Sequence, residues 1–386
     1  MKRTVTASKG KLPRVKEMGI SLEEQKGRLE RFRELLAAEE LDGFIVVSPE
    51  NRRYLSGFTG SSGVLLVAQE WAVLLTDFRY LEQAAAETAG TGIDLQKQGK
   101  KLWESVAQLL LDRGGPLAHW GFESDHLVER DYRFLAGQVG AGRLVPKEGF
   151  PGRLRAVKSP AEVELIAKAV AITDRAWERL LPEIKPGRRE EELAALFEFF
   201  QREEGASAAS FPTLVASGPR SAMPHGAAGS RVLCPGDLVV VDGGAVYAGY
   251  CSDFTRTVVV GKKPGAEQER VYRLVLEAQE RALAGLKPGM TAAEADALAR
   301  EVLEKAGYGP NFGHGLGHGL GLAVHEAPRL SPGQETVLEP GMVVTVEPGI
   351  YLPDWGGIRI EDVAVITGEG CQVLTRSPKT PYPDIP

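Results

Sequence analysis

The chain has 386 residues, 43% of them hydrophobic and 25% charged, with a net charge of −6. That length accommodates two domains with a core in each, and the acidic balance argues against a bulk basic surface for nucleic acid. Three cysteines, Cys234, Cys251 and Cys371, form no CxxC pair, which fits buried thiols in a reducing, cytoplasmic setting rather than a disulfide framework.

Residues 1–20 open with Lys2, Arg3, Lys9, Lys11, Arg14 and Lys16 and no acid among the first sixteen. No apolar run follows, so a disordered basic tail is expected rather than a secretory signal. No segment reaches 18 uninterrupted apolar residues, so no membrane span is expected. Ser21 with Glu24 predicts a helix start, and Leu29, Phe32, Leu35 and Leu36 give that helix an apolar face. Apolar runs at 43–47, 64–68 and 71–76 surround the loop FTGSSG (58–63), and helical patterns lie near 78–88 and 102–112. This alternation predicts one α/β domain over 21–150. The segment KEGFPGRLRAVK (147–158) is rich in Lys, Arg, Gly and Pro and is expected to be a linker. Ser159-Pro160-Ala161-Glu162 then has the form of a capping box with Pro at the first helical position. It predicts a long helix toward Leu181 and a second domain over 156–386.

That second domain repeats internally. Lys185-Pro186-Gly187 opens a helical segment ending at Gly205, and Lys287-Pro288-Gly289 opens another ending at Gly307. Glu192, Ala195 and Leu196 fall on Glu294, Ala297 and Leu298. PGDLVVVDGG (235–244) matches PGMVVTVEPG (340–349), placing Asp242 over Glu347, and a slight slide places Asp253 over Glu361. Two helix-plus-hairpin halves imply an α+β domain with pseudo-twofold symmetry and a shared central site.

The carboxylates carry the chemistry. Valines flank Asp242 and Asp253, and Ala248-Gly249 supplies a turn about midway between them, so the two acids should be neighbours across a hairpin. The plainer alternative is two outward-facing acids, or an ion pair with Arg256. Glu347 and Glu361 pose the same problem, and Arg359 shares the strand parity of Glu361, so an Arg359–Glu361 pair is the plain reading there. Four acids in apolar strands cannot cluster without cations. Two divalent ions would balance them and leave room for one hydroxide. An oxygen-rich set with one imidazole suits Mn²⁺ or Co²⁺ first and Zn²⁺ next. The imidazole comes from NFGHGLGHGLGLAVHE (311–326), which holds His314, His318 and His325. Its glycines predict a loop or extended strand that lets backbone approach the site. His225, in AMPHG, lies in a Pro/Gly/Ser loop where a substrate could reach it.

The motifs VDGGAVYAGYCSDFTRT, GHGLGHGLGLAVHE, VEPGIY and GIRIEDVAVI resemble those of the pita-bread metallopeptidases (M24), the creatinase, aminopeptidase P, prolidase and methionine aminopeptidase group. The likeness runs over nearly all of 155–380. RYLSGFTGSSG and TDFRY resemble the creatinase-type N-terminal domain. The resemblance implies that Asp242 chelates one metal ion, Asp253 and Glu361 bridge both, and His318 and Glu347 bind the other. It also implies proton relay by Glu347, stabilisation of the tetrahedral intermediate by His225 and His325, and a proline-side pocket lined by His314. Arg359 would hold Glu361 or contact substrate. The implied activity is hydrolysis of Xaa-Pro bonds at a free N-terminus by a metal-bridging hydroxide, in a homodimer with no nucleic-acid or membrane partner. Two positions depart from the family pattern: Asp242-Gly243-Gly244 replaces Asp-Phe-Gly or Asp-Ala-Gly, and Glu326 follows His325 where some members carry Asp. Neither removes a ligand. The full ligand set disfavours creatinase chemistry, and the extra N-terminal domain disfavours a methionine aminopeptidase. The competing readings are a non-enzymatic peptide-binding module on the same fold, which would generally have lost ligands, and a metallohydrolase of another small amide.

Overall fold

In the computed structural model, which describes residues 19–115 and 118–382, the Ser21 hydroxyl accepts the Glu24 amide at 3.1 Å and starts α1 (Leu22–Ala38). The chain continues through β1 (Gly43–Val46), α2 (Pro49–Ser56), β2 (Val64–Ala68), β3 (Ala72–Thr76), α3 (Leu81–Glu87), β4 (Asp94–Lys97), α4 (Leu102–Arg113), β5 (Trp120–Glu123), α5 (Glu129–Val139) and β6 (Leu144–Lys147). These strands form one mixed sheet in the order β4-β3-β2-β1-β5-β6. Every residue of β1, β2 and β3 is buried, which explains why they read as unbroken apolar runs rather than alternating ones. Phe32 of α1 and Phe150 pack on Phe44 of β1. Its neighbour Ile45 joins Leu66 and Trp120 against Val106 and Leu110 of α4 and Leu135 of α5.

The basic tail expected over 1–20 falls mostly on residues 1–18, outside the described residues. Ile20 is described and buried. The expected linker is not a plain loop. It contains α6 (Gly152–Ala156), and Phe150 within it is fully buried. Its polar composition disguised one anchoring aromatic. By its contacts the chain divides into two units between Leu154 and Arg155.

The second unit begins with α7 (Pro160–Leu180), opened by the complete Ser159–Glu162 capping box. It runs on through α8 (Glu190–Glu203), β7 (Ala208–Ala209), β8 (Leu214–Ser217), β9 (Leu238–Asp242), β10 (Ala245–Tyr247), β11 (Tyr250–Cys251) and β12 (Thr255–Val259). The second half comprises α9 (Ala266–Gly285), α10 (Ala292–Lys305), β13 (Gly317–Gly319), β14 (Glu326–Leu330), β15 (Val343–Val346), β16 (Gly349–Leu352), β17 (Gly356–Arg359), β18 (Asp362–Ile366) and β19 (Cys371–Val373).

The repeat is physical. Gly187 (φ 91°) and Gly289 (φ 85°) turn the chain into α8 and α10, where a residue with a Cβ would be strained. The Glu192 carboxylate accepts the Arg189 amide, and Glu294 accepts that of Thr291. Arg189 bridges to Val232, and Thr291 to Val337. Each helix pair covers its own strands. Trp177 and Leu180 of α7 and Phe197 of α8 pack on Val215, Val239, Val241 and Val258. Val275 and Ala282 of α9 and Leu303 of α10 pack on Val344, Val346, Ile358 and Ile366. Among the described residues no helix is long and apolar enough to cross a membrane.

Candidate metal centre

β9 and β12 pair antiparallel, with Asp242 opposite Thr255. Two residues before Thr255, Asp253 accepts the Phe254 amide at 2.9 Å. Gly244 is required by this bend, since a Cβ there would run into the Ser252 carbonyl. In the second half β15 pairs with β18, Val346 opposite Asp362. Continued by one residue, that register sets Glu347 opposite Glu361. The register counterpart of Glu361 is therefore Thr255 rather than Asp253, which corrects the slid alignment by two residues. The Glu361 amide donates to the Thr255 carbonyl at 3.1 Å, so the two hairpins meet edge to edge at the acids.

Ligand-type oxygens of Asp242, Asp253 and Glu361 lie within 4.8 Å of one another, and all three residues are buried. His318 joins them from β13. Its Nε2 stands 3.6 Å from Asp253 Oδ2 and 3.4 Å from Glu347 Oε1. Its Nδ1 lies 3.0 Å from the Gly319 carbonyl, which only accepts, so Nδ1 donates there and Nε2 is the ring nitrogen turned toward the acids. Thr345 donates to Glu347 at 3.1 Å and accepts the His318 amide at 3.0 Å. The structure thus brings Asp242, Asp253, His318, Glu347 and Glu361 together.

Their electrostatics are those of an incomplete site. Asp242 Oδ1 and Glu361 Oε1 are buried without a hydrogen-bond partner. Burial first, then repulsion from Asp242 and Glu347, raises the Asp253 carboxyl well above the ordinary range. Burial, then Asp253 and Glu347, does the same to Glu361. Asp242 is raised too, chiefly by burial, although Arg359 opposes it. Arg359 Nη2 meets Asp242 Oδ2 at 2.5 Å. The expected Arg359–Glu361 pair does not form. The shared parity of residues 359 and 361 holds, since the Gly349–Arg359 and Val346–Asp362 pairs keep one register and both side chains line the same cleft, but the Arg359 guanidinium is taken by Asp242. Arg256 pairs with Asp362 instead of with either acid of the first hairpin. One guanidinium against four carboxylates leaves buried, unpaired oxygens whose chemistry fits divalent cations.

These groups line a cleft of about 1020 Å³ that also takes in His225, His314 and His325. His325 is exposed and sets its ring edge-on to His318, centroids 4.4 Å apart. His225 is exposed on the loop after β8. His314 is tied in: its Nδ1 lies 2.8 Å from the Gly315 carbonyl and its Nε2 3.0 Å from the Tyr351 hydroxyl. Tyr351 in turn accepts from Arg359 at 2.9 Å. Burial lowers the His314 and His325 imidazoles, and His318 adds to the effect on His325.

Three contributors are not anticipated from sequence. Tyr351 lies inside the VEPGIY motif but carries no signal of its own. Thr255 donates to Glu361 at 2.7 Å. Arg329 sits opposite His318 across β13 and β14, lines the cleft, and forms no ion pair among the described residues. Only the pairing register, invisible in the sequence, puts it there.

Residues 164–368 match the model of metallopeptidase family M24. The chain belongs to that family. Residues 28–157 match the creatinase/prolidase N-terminal domain. This M24 chain is 38% identical to an Xaa-Pro dipeptidase of Pyrococcus furiosus, over 91% of its own length and 98% of the relative's. The solved structure of an Xaa-Pro dipeptidase from Bacillus anthracis matches at TM-score 0.89 and 42% identity, covering 93% of this chain and 99% of the other. An X-Pro aminopeptidase structure from Thermotoga maritima matches at TM-score 0.82 and 37% identity, with 92% and 99% covered. The protein is a metallopeptidase, and its family membership implies divalent metal ions at the acidic cluster.

Proposed function

We propose that the protein hydrolyses Xaa-Pro peptide bonds at a free N-terminus, with two divalent ions held by Asp242, Asp253, His318, Glu347 and Glu361. The observation that carries this reading is the buried acid cluster with orphaned oxygens at the base of an open cleft. The names of the relatives supply the Xaa-Pro class. Mn²⁺ or Co²⁺ suits the oxygen-rich set, and Zn²⁺ follows. Bound there, divalent ions supply the positive charge that activates water and polarises a peptide carbonyl.

The side chains do the rest. Glu347 is only partly buried, so one of its oxygens can take a proton from water and return it to the leaving amine. His225 and His325 stand exposed in the cleft, as donors to the carbonyl oxygen as charge develops on it. His314, fixed by Tyr351 and Gly315, forms a rigid wall for the proline ring. Arg359, neutralised by Asp242, holds Asp242 and Tyr351 in place.

Arg329 favours a dipeptide. It is the lining guanidinium left without a carboxylate, and a dipeptide offers one a single residue beyond the scissile bond. Metal-stripped protein is assayed on an Xaa-Pro dipeptide and an Xaa-Pro tripeptide before and after adding Mn²⁺, Co²⁺ or Zn²⁺. Metal-restored cleavage with the dipeptide preferred is the expected result. Arg329→Ala should then raise KM for the dipeptide roughly tenfold or more and leave the tripeptide little changed. Bound metal without cleavage of either peptide would reject the Xaa-Pro reading.

A further inference from the structure

His225 and His314 stand on irregular backbone, and irregular backbone drifts unless something holds it. In both cases the holder is a buried acid outside the cleft, on one of the two repeat-related helices. Glu190, fully buried at the first turn of α8, accepts the Ser217 amide at 2.8 Å and its hydroxyl at 2.7 Å through one oxygen. Through the other it accepts the Gly229 amide at 3.2 Å and pairs with Arg220. Arg220 then donates to the Ala227 carbonyl at 2.7 Å. Every one of these partners lies between residues 217 and 229, so a single carboxylate closes the loop that presents His225.

Asp296, buried on α10, does the equivalent for the other histidine. Its carboxylate takes Arg300 through two nitrogens and the Leu316 amide at 2.9 Å. Arg300 donates to the Phe312 carbonyl at 3.1 Å and to the His314 carbonyl at 2.7 Å, and lies 4.3 Å over the Phe312 ring. The two acids come from different turns of their helices, so the devices are analogous rather than superposed.

We infer that Glu190 and Asp296 are positioning residues, which hold His225 and His314 at the substrate through Arg220 and Arg300. The inference rests on the Xaa-Pro reading of the cleft. A stability role alone would lower activity regardless of which histidine is present. A positioning role is lost when the histidine it serves is lost, so crossed double-mutant cycles separate the two.

Glu190→Gln should lower kcat by about 10- to 100-fold with KM little changed, since a small misplacement of a catalytic group costs up to that much. Asp296→Asn should act mainly on KM. Metal content should be retained in both. In a His225→Ala background Glu190→Gln should cost less than about twofold, while in His314→Ala it should cost its full factor, and Asp296→Asn should show the converse. Equal losses in both backgrounds would overturn the assignment. If the wild type cleaves no Xaa-Pro peptide, the functional reading fails by itself, and amide hydrogen exchange on the metal-free protein decides the clamp. Faster exchange confined to 217–229 in Glu190→Gln and to 312–316 in Asp296→Asn supports it, and unchanged or global exchange rejects it. Should either variant fail to fold, Arg220→Gln and Arg300→Gln cut the same bonds to the loop carbonyls and go through the same cycles.

Discussion

Glu361 and Asp362 are consecutive and both buried, yet their circumstances are opposite. Asp362 is satisfied by Arg256 at 2.8 Å, Gln279 at 2.8 Å and Lys379 at 2.5 Å. Glu361 has the Thr255 hydroxyl on one oxygen and nothing on the other. Removing charge should therefore have opposite effects at the two positions. Asp362→Asn leaves Arg256 buried without its carboxylate and should cost about 3–5 kcal/mol at neutral pH, read by urea unfolding. Glu361→Gln should stabilise the metal-free protein. Burial and Asp253 hold the Glu361 carboxyl above its unfolded value, so the folded state binds that proton more tightly than the unfolded one. The wild type then loses stability as pH rises from the ordinary carboxylate range through the raised folded value. The advantage of Glu361→Gln should be absent in acid and grow toward neutrality to about 1–3 kcal/mol, followed by thermal unfolding across pH. A constant advantage at every pH would contradict the charge argument. The acids themselves were legible in the sequence, because carboxylates inside valine runs have no apolar explanation. Their partners were not. Proximity in sequence suggested Arg359 with Glu361, but the bond spans 117 positions to Asp242.

Among the elements, those with local punctuation were readable. α1, α7, α8 and α10 announce themselves by caps or by Lys-Pro-Gly, and the runs of β2 and β3 by uninterrupted apolar residues. α9, 20 residues long, is opened by a third Lys-Pro-Gly, Lys263-Pro264-Gly265, with the Gln268 side chain accepting the Gly265 amide at 2.9 Å, but it has no counterpart in the internal alignment and is not anticipated. β13 is the instructive case. Its glycines argue against a helix, but the strand exists because they are glycines. A Cβ on Gly317 would meet the Thr345 carbonyl and hydroxyl, the hydroxyl that receives the His318 amide. Gly317→Ala should push β13 off β15 and displace His318. Metal affinity should fall roughly 10- to 100-fold, the usual cost of disturbing a ligand's support, while the far-UV circular dichroism stays native. Unchanged affinity in a metal titration would show that His318 is not held by this contact.

For the whole molecule, the division into an α/β unit and a repeated α+β unit followed from composition and internal alignment, because both depend on patterns many residues long. The edge-to-edge meeting of the two hairpins did not, since it is made by pairing between distant segments. Chelation of the bound ions should lower the unfolding temperature of the wild type and leave that of Glu361→Gln nearly unmoved, because a ligand stabilises only the fold that binds it. The distribution of the five side chains has a consequence for synthesis. Asp242 and Asp253 belong to the first half of the repeat, and His318, Glu347 and Glu361 to the second. A nascent chain emerging from the ribosome carries two of the five when its first half is complete and gains the last only once residue 361 is clear of the exit tunnel. On the proposed ligand set, the complete centre is available only after nearly the whole domain has been made, and a chain halted anywhere before Glu361 lacks at least one of the five side chains.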